Sequence, residues 1–143
     1  YPTVEFRMCD CCTSLKDAVS VAALIQALVA KLIVLRLYNQ KWRDYRGSLI
    51  HENKWRSAQS GVKSHLIDFG AEKEVPFSSL ISEMLDFIDD IVDDLGTRKY
   101  IENIETILKD GSSADKQIRV FEDTGDMKKV VDFLIDETTR YCN

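Results

Sequence analysis

Apolar and polar side chains alternate along the first ten residues, "YPTVEFRMCD", as they do in a β-strand. The apolar side chains fall on one face, and Glu5 and Arg7 fall together on the other. The pattern predicts a strand over residues 3–9 with an apolar face for a core and a second face that carries one acid and one base. Because a single strand leaves its backbone donors and acceptors unpaired, its sheet partners must lie elsewhere.

A long apolar segment follows, "SLKDAVSVAALIQALVAKLIVLRL", and it predicts a helix over about residues 14–37. Ser14 and Asp17 have the spacing of a capping box at its start. The segment is apolar on nearly all sides, which is typical of a helix buried in the centre of a fold. Gln26 and Lys31 interrupt the run and signal-peptide flanks are missing, so the pattern favours a buried helix over a membrane span.

The rest of the chain, residues 48–142, predicts an array of shorter helices with short connections. Gly61 ends the first of them, "SLIHENKWRSAQS", and "VKSHLIDFG" then alternates weakly, as a short strand or an extended connection does. Four helical segments complete the array: "PFSSLISEMLDFIDDIVDDL", "TRKYIENIETILKD", "SSADKQIRVFEDT" and "DMKKVVDFLIDETTRYC". The predicted fold is therefore mainly α-helical, with one N-terminal strand and room for a second short strand.

Composition narrows the class of protein. A chain of 143 residues with 45% hydrophobic and 30% charged residues is typical of one globular domain. Its formal net charge of −5 argues against nucleic acid as a general partner, because phosphate binding needs a basic surface. The four cysteines, three of them in "CDCC", form no disulfide framework, and zinc would need a fourth ligand nearby. We therefore expect reduced thiols in a cytoplasmic protein that does not enter a membrane.

Glu5 and Arg7 admit two interpretations. On a solvated strand edge they would form a weak surface ion pair. On a sheet face that lines an active site, the carboxylate would be an oxygen ligand for Mg²⁺ and the guanidinium would hold a phosphoryl group. The second combination suits phosphoryl transfer, and the residues alone leave both interpretations open.

Three segments of the chain carry a family resemblance: "TVEFRMCDCCTSLKDAVSVAALIQALVAKL", "LIHENKWRSAQSGVKSHLID" and "IETILKDGSSADKQIRVFEDTGDMKKVVDFLIDET". In this order they resemble the C-terminal part of glutamate–cysteine ligase family 2, the bacterial carboxylate–amine ligases of the YbdK type. The resemblance covers essentially the whole chain, and "ENKWR" and "GSSADKQ" are its most specific motifs. More distantly, "VEFRMCD" and the helix after it are similar to the closing strand and helix of glutamine synthetase, from the same superfamily.

The resemblance implies an ATP-dependent reaction that forms an amide bond. The γ-carboxylate of glutamate would be phosphorylated, and the amine of cysteine or another amino acid would attack the acyl phosphate. In this superfamily the Glu of the strand binds the metal under the ATP phosphates and the Arg handles the transferred phosphoryl group. The resemblance therefore implies that Glu5 is a Mg²⁺ ligand and that Arg7 is catalytic and contacts ATP. It also implies an α+β fold for the intact enzyme, with an antiparallel sheet and surrounding helices.

The chain departs from the family in length. Full ligases of this family run to roughly twice this length or more, beyond the usual size of one domain. We therefore expect residues 1–143 to be the C-terminal portion of such an enzyme, without its N-terminal catalytic portion and inactive alone. A stand-alone helical module for binding or assembly is the alternative from another class. The expected partners are the small-molecule substrates and the missing N-terminal part, and the sequence does not decide between a monomer and a homo-oligomer.

The "ENKWR" motif supplies further candidate residues. Asn53, Lys54 and Arg56 are candidates to bind ATP or substrate from a helix. The alternative is structural: an ion pair between Glu52 and Arg56, with Trp55 in the core. Resemblance marks the motif as characteristic of the family and does not say what it contacts.

The remaining polar motifs have simple structural interpretations. In "GSSADKQIR" a helix N-terminus could bind an anion, but capping of the helix by Ser112 or Ser113 explains the motif equally well. The acidic run "DFIDDIVDD" is typical of the solvated face of a helix. His51 and His65 are expected at the surface rather than as metal ligands.

Overall fold

The computed structural model describes residues 3–141, which form seven α-helices, one 3-10 turn and two short strands. In chain order these elements are α1 (Leu15–Leu37), α2 (Gly47–Ser60), the turn Gly61–Lys63, β1 (His65–Asp68), β2 (Lys73–Pro76), α3 (Phe77–Val92), α4 (Arg98–Ile101), α5 (Asn103–Asp110), α6 (Ser113–Thr124) and α7 (Met127–Thr139). The mainly helical fold that the sequence predicts is confirmed.

The core lies where α1 packs against α3, α4 and α5. Ala23 and Ala27 of α1 are buried and contact Ile88 and Val92 of α3 and Ile101 of α4. Because alanine side chains are small, they let the backbones of neighbouring helices approach closely while the larger isoleucine and valine side chains fill the space between them. α1 thus provides the surface against which α3, α4 and α5 pack.

Part of the α1 surface is not covered by the described residues. Leu15, Ile33 and Leu37 are exposed there, so the prediction of burial on nearly all sides is wrong for this chain. The physical reason is that α3, α4 and α5, which pack against α1, cover only part of its surface. By length and composition α1 could cross a membrane, with a mean hydropathy of 2.3, but the core helices of folded domains can be equally long and apolar.

A short hairpin follows α2, with β1 and β2 antiparallel and Leu66 opposite Val75. The weakly alternating segment before residue 70 is therefore a strand, as one of its two interpretations had it. Residues 3–9 are not a strand in the structure, and no described segment pairs with them. The reason is that β1 and β2, the two described strands, pair only with each other, and an extended segment becomes a strand only when a partner satisfies its backbone.

The predicted helix from Thr97 to Gly111 is divided into α4 and α5 at Glu102. At the break, Asn103 is buried and its Nδ2 donates hydrogen bonds to Asp17 Oδ1 at 2.9 Å and to Ser20 Oγ at 3.1 Å. Both partners belong to α1. The break therefore coincides with a contact between elements far apart in the sequence.

Candidate functional site

Glu5 and Arg7 lie side by side in the N-terminal segment. Arg7 Nη2 donates a hydrogen bond to Glu5 Oε2 at 2.9 Å, and the two side chains are 82% and 67% exposed. An ion pair this open to solvent contributes little to stability. Within residues 3–141 neither side chain has another ion-pair partner, so both charged groups are accessible to a ligand or to another part of a larger protein.

Asn53 fastens α2 to the hairpin. Its Nδ2 donates to the backbone carbonyl of Ile67 at 2.9 Å, and its Oδ1 accepts from the backbone N–H of Ile67 at 2.8 Å. The amide side chain therefore pairs with β1 as a neighbouring strand would, using both of its polar ends. This residue supports the shape of the hairpin, and both polar ends of its amide are engaged.

Arg56 joins α2 to both strands. Its Nε donates to Glu52 at 2.8 Å, and its Nη1 lies 2.9 Å from a Glu74 carboxylate oxygen and 3.3 Å from the carbonyl of His65. The hydrogen bonds to Glu52 and then to Glu74 raise the pKa of Arg56 above its usual value, so the guanidinium stays charged. The predicted pair between Glu52 and Arg56 is present, as part of this larger cluster.

Lys54 and Trp55 take no part in these contacts. Lys54 is exposed and has no ion-pair partner in the described part of the chain. Trp55 is 60% exposed, so the interpretation that placed its indole in the core is wrong. The reason is that α2 uses Asn53 and Arg56, rather than an aromatic side chain, to contact the hairpin.

The "GSSADKQ" motif forms a capping box at the start of α6. Asp115 N–H donates to Ser112 Oγ at 3.4 Å, and Ser112 N–H donates to Asp115 Oδ2 at 2.9 Å. Lys63 Nζ lies 3.0 Å from Asp115 Oδ1. Gly111 has φ +92°, and a Cβ there would lie 2.7 Å from that of Asp115, so only glycine fits. The structure thus favours capping over anion binding, because the Asp115 carboxylate already occupies the helix N-terminus.

The same motif is joined to the start of α1. Thr13 Oγ1 and Ser113 Oγ share a hydrogen bond of 2.7 Å, and Lys116 Nζ lies 3.8 Å from Asp17 Oδ2. Gln117 adds a bond of 3.1 Å to Ser113. These contacts span about a hundred residues of sequence and fix the backbone a few residues after Arg7. Sequence reasoning missed this link, and its only signal is the number of small polar residues in the two segments.

The predicted residues thus form two separate sets. No hydrogen bond or ion pair joins Glu5 or Arg7 to Asn53, Lys54 or Arg56 in the described residues. His51 and His65 are exposed, as expected.

The thiols and carboxylates do not form a metal centre on their own. No group of three or more His, Cys, Asp or Glu among residues 3–141 is placed to hold a metal ion. Cys9, Cys11 and Cys12 are free thiols, and burial, followed by the charge of Asp17, raises the pKa of Cys12. Cys142 lies outside the described residues.

The capping box can be tested through the pH dependence of stability, because Asp115 is ionisable. The hydrogen bond from Ser112, with help from Lys63, holds the pKa of Asp115 below its usual value. The ionised cap therefore stabilises the fold above about pH 4, and this stabilisation is lost as pH falls through the lowered pKa. We expect Asp115→Asn to lower the free energy of unfolding by about 1 kcal/mol at pH 7 and by much less near pH 3.

Urea unfolding at both pH values measures this difference. Glu122→Gln, an exposed acid in the same helix, is the matched control and should change stability little at either pH. An Asp115→Asn effect that is equal at pH 7 and pH 3 would contradict the assignment of an ionised cap.

Comparison with known proteins extends this picture. The model of a family described as glutamate–cysteine ligase family 2 matches residues 1–132. A protein of Solibacter usitatus named "Putative glutamate–cysteine ligase 2" is 49% identical over 138 residues, which is 96% of this chain and 36% of that protein. Proteins of the same name from Herpetosiphon aurantiacus and Chloroflexus aggregans are each 46% identical over 96% of this chain.

The chain spans about a third of the length of these curated relatives. No solved structure shows a significant match to the chain. The family match covers both sets of candidate residues, the pair at the N-terminal segment and the cluster around "ENKWR".

Proposed function

Because the chain belongs to glutamate–cysteine ligase family 2, we propose that it is the C-terminal part of an ATP-dependent carboxylate–amine ligase. The family match over residues 1–132 is the observation that carries the proposal. The proposed substrates are glutamate and the amine of cysteine or another amino acid. The proposed setting is the cytoplasm, where ATP is abundant and thiols such as Cys9 stay reduced.

The proposed reaction has two steps. A γ-carboxylate oxygen of glutamate attacks the γ-phosphorus of ATP, and ADP leaves, which gives an acyl phosphate. The amine nitrogen then attacks the acyl carbon, loses a proton, and expels inorganic phosphate with the former carboxylate oxygen. Phosphorylation is needed because a carboxylate is a poor electrophile and has no adequate leaving group.

Arg7 is the proposed catalytic residue of this chain. Its planar guanidinium can donate to two phosphoryl oxygens at once, and charge develops on those oxygens during transfer. Its 82% exposure supports the proposal, since the only ion pair it forms in the described residues is the weak one with Glu5. A phosphoryl group could therefore replace Glu5 as its partner at small cost.

The described residues do not by themselves fit a Mg²⁺ site. Mg²⁺ requires near-octahedral coordination by oxygen ligands. Glu5 offers a single carboxylate, which cannot fill this coordination shell. We propose that Glu5 is one ligand of a site whose other ligands come from the part of a full-length ligase that this chain does not match.

The "ENKWR" residues are proposed to serve ATP or substrate in different ways. Asn53 and Arg56 are engaged with the hairpin, so their contribution is to position it. Lys54 has an exposed ammonium group that could reach an ATP phosphate directly.

A stand-alone helical module for binding or assembly is the second candidate function. The observation that favours it is the high exposure of Glu5 and Arg7, whose one ion pair in the described residues is with each other. Under this hypothesis the exposed pair Glu5 and Arg7 would be an ordinary surface ion pair, and its replacement would change no reaction.

The first test concerns the chain by itself. The chain alone should bind ATP–Mg²⁺ only in the millimolar range or weaker, about −4 kcal/mol, because one carboxylate and one arginine cannot hold a metal and a triphosphate. Isothermal titration measures this affinity. Micromolar binding would show that the chain holds a nucleotide site of its own.

The matched experiment adds the missing part. We expect glutamate- and amine-dependent ADP release, and γ-glutamyl hydroxamate when hydroxylamine traps the acyl phosphate, once the chain is joined to the preceding two thirds of the Solibacter usitatus relative. The same fusion with Arg7→Ala is the negative control. A folded fusion that releases no ADP with any amino acid pair would favour the helical module.

A further inference from the structure

A cavity of about 690 Å³ lies between the second half of α1, the connection 38–46, the end of β1 and α3. Its volume falls in the range of small-molecule binding sites. Leucine, isoleucine and methionine side chains from these elements form much of the wall. Neither Glu5 nor Arg7 lines it, so the cavity is separate from the proposed catalytic pair.

Four aromatic side chains line this cavity. The rings of Trp42 and Phe87 meet edge to face with their centroids 5.3 Å apart, and those of Tyr45 and Phe69 lie 4.9 Å apart. Each pair joins the irregular connection 38–46 to another element. Trp42 contacts α3, and Tyr45 contacts the turn between β1 and β2. The aromatic wall is thus built by specific contacts, which hold it in place without a ligand.

The charged groups of the cavity wall have a single sign. Glu83 and Asp68 line the cavity, and no Lys, Arg or His does so. One oxygen of Asp68 accepts from the backbone N–H groups of Gly70 at 2.8 Å and Ala71 at 3.0 Å, which fixes its carboxylate in place. Glu83 is exposed and forms no ion pair in the described part of the chain. The wall therefore offers hydrogen-bond acceptors and negative charge to whatever enters.

The amide of Asn53, which also lines the cavity, has both of its polar ends bound to Ile67, which leaves one N–H of Nδ2. Aromatic faces attract cations, and Lys31 Nζ already lies 5.3 Å from the ring centroid of Phe87. Phosphate and carboxylate ligands are disfavoured, because the carboxylates of Asp68 and Glu83 would repel them and the ammonium of Lys31 is already paired with Asp90 at 2.6 Å. The wall thus selects against anions.

The geometry points to a binding site for an organic ammonium ion, with the apolar or aromatic body of the ligand against the rings and its ammonium group at Glu83. The inference does not rest on the ligase function, because it uses no residue of the proposed catalytic pair. Trp42 is 59% exposed, so a ligand can reach the aromatic wall from solvent.

Trp42 also provides the readout. The chain has two tryptophans, so Trp55→Phe leaves Trp42 as the sole indole and changes a side chain that is not in the cavity. We expect 2-phenylethylammonium to shift the Trp42 indole N–H resonance saturably, with a dissociation constant below about 10 mM. The uncharged isostere 2-phenylethanol should bind about tenfold more weakly, and 3-phenylpropanoate should not bind.

The charge is tested on the protein side by two matched variants in this background. Glu83→Gln should weaken ammonium binding about tenfold, and Asp86→Asn, an exposed acid of α3 outside the cavity, should leave it unchanged. Three results would overturn the inference: no saturable shift up to about 10 mM, equal binding of the amine and the alcohol, or equal effects of the two variants. Equal binding of amine and alcohol would instead indicate a general apolar surface, suited to a protein segment.

Discussion

Arg7→Lys is expected to lower kcat about a hundredfold, while KM for ATP changes little, in an active full-length ligase that contains this sequence. Lysine keeps the positive charge and loses the planar fork that holds two phosphoryl oxygens at once. If this contact strengthens as charge develops on the phosphoryl group, its loss raises the barrier by about 3 kcal/mol without weakening ground-state binding. Steady-state kinetics with varied ATP separate the two parameters.

Arg98→Lys is the matched control for this prediction. Arg98 also forms a forked contact, with Asp89 of α3 and with Asp93 directly after α3, so the control loses a comparable fork away from the proposed site. We expect its kcat to stay within about twofold of the unmodified enzyme. Near-normal kcat for Arg7→Lys would return the N-terminal pair to the status of a surface ion pair.

Asn53→Ala is expected to lower the free energy of unfolding of the 143-residue chain by about 3 kcal/mol. The substitution removes two hydrogen bonds and leaves the N–H and C=O of Ile67 without partners in a half-buried position. Each unsatisfied backbone group costs roughly 1.5 kcal/mol. Urea unfolding followed by far-ultraviolet circular dichroism measures the loss.

Two further variants make this prediction specific. Lys54→Ala, the next residue along α2 and exposed, should change stability by less than about 0.5 kcal/mol. Asn53→Asp keeps an acceptor for the N–H of Ile67 and loses the donor to its carbonyl, so at neutral pH it should also be strongly destabilising. Equal stabilities of Asn53→Ala and Lys54→Ala would show that Asn53 does not hold the hairpin.

Local patterns predict most of the helices. The apolar periodicity before Gly96 marks α3, and Gly61 and Gly111 end helices as expected because each adopts a positive φ. The division between α4 and α5 could not be read in the same way. It coincides with the hydrogen bonds from Asn103 to α1, a contact between distant segments that the local helical pattern does not contain.

In the candidate site, too, local contacts could be predicted from the sequence and contacts between distant segments could not. Contact between Glu5 and Arg7 follows from their spacing of two residues, and the structure has it. The role of Asn53 does not follow from its sequence, because its partner Ile67 becomes adjacent only when the hairpin folds against α2. The prediction that Trp55 lies in the core failed for a related reason. Large aromatic side chains are usually buried, but α2 packs here through polar side chains.

The pairing of α6 with α7 has a consequence for how the chain unfolds. The two helices pack mainly against each other, and α6 is fastened to α1 chiefly at its first turn, through Ser113 and Lys116. Breaking the contacts of α7 therefore leaves the core around Ala27 and Ile88 intact. The amide hydrogens of α7 should exchange through a sub-global opening, at a lower free energy than those of α1, so that the molecule unfolds in two cooperative units rather than one.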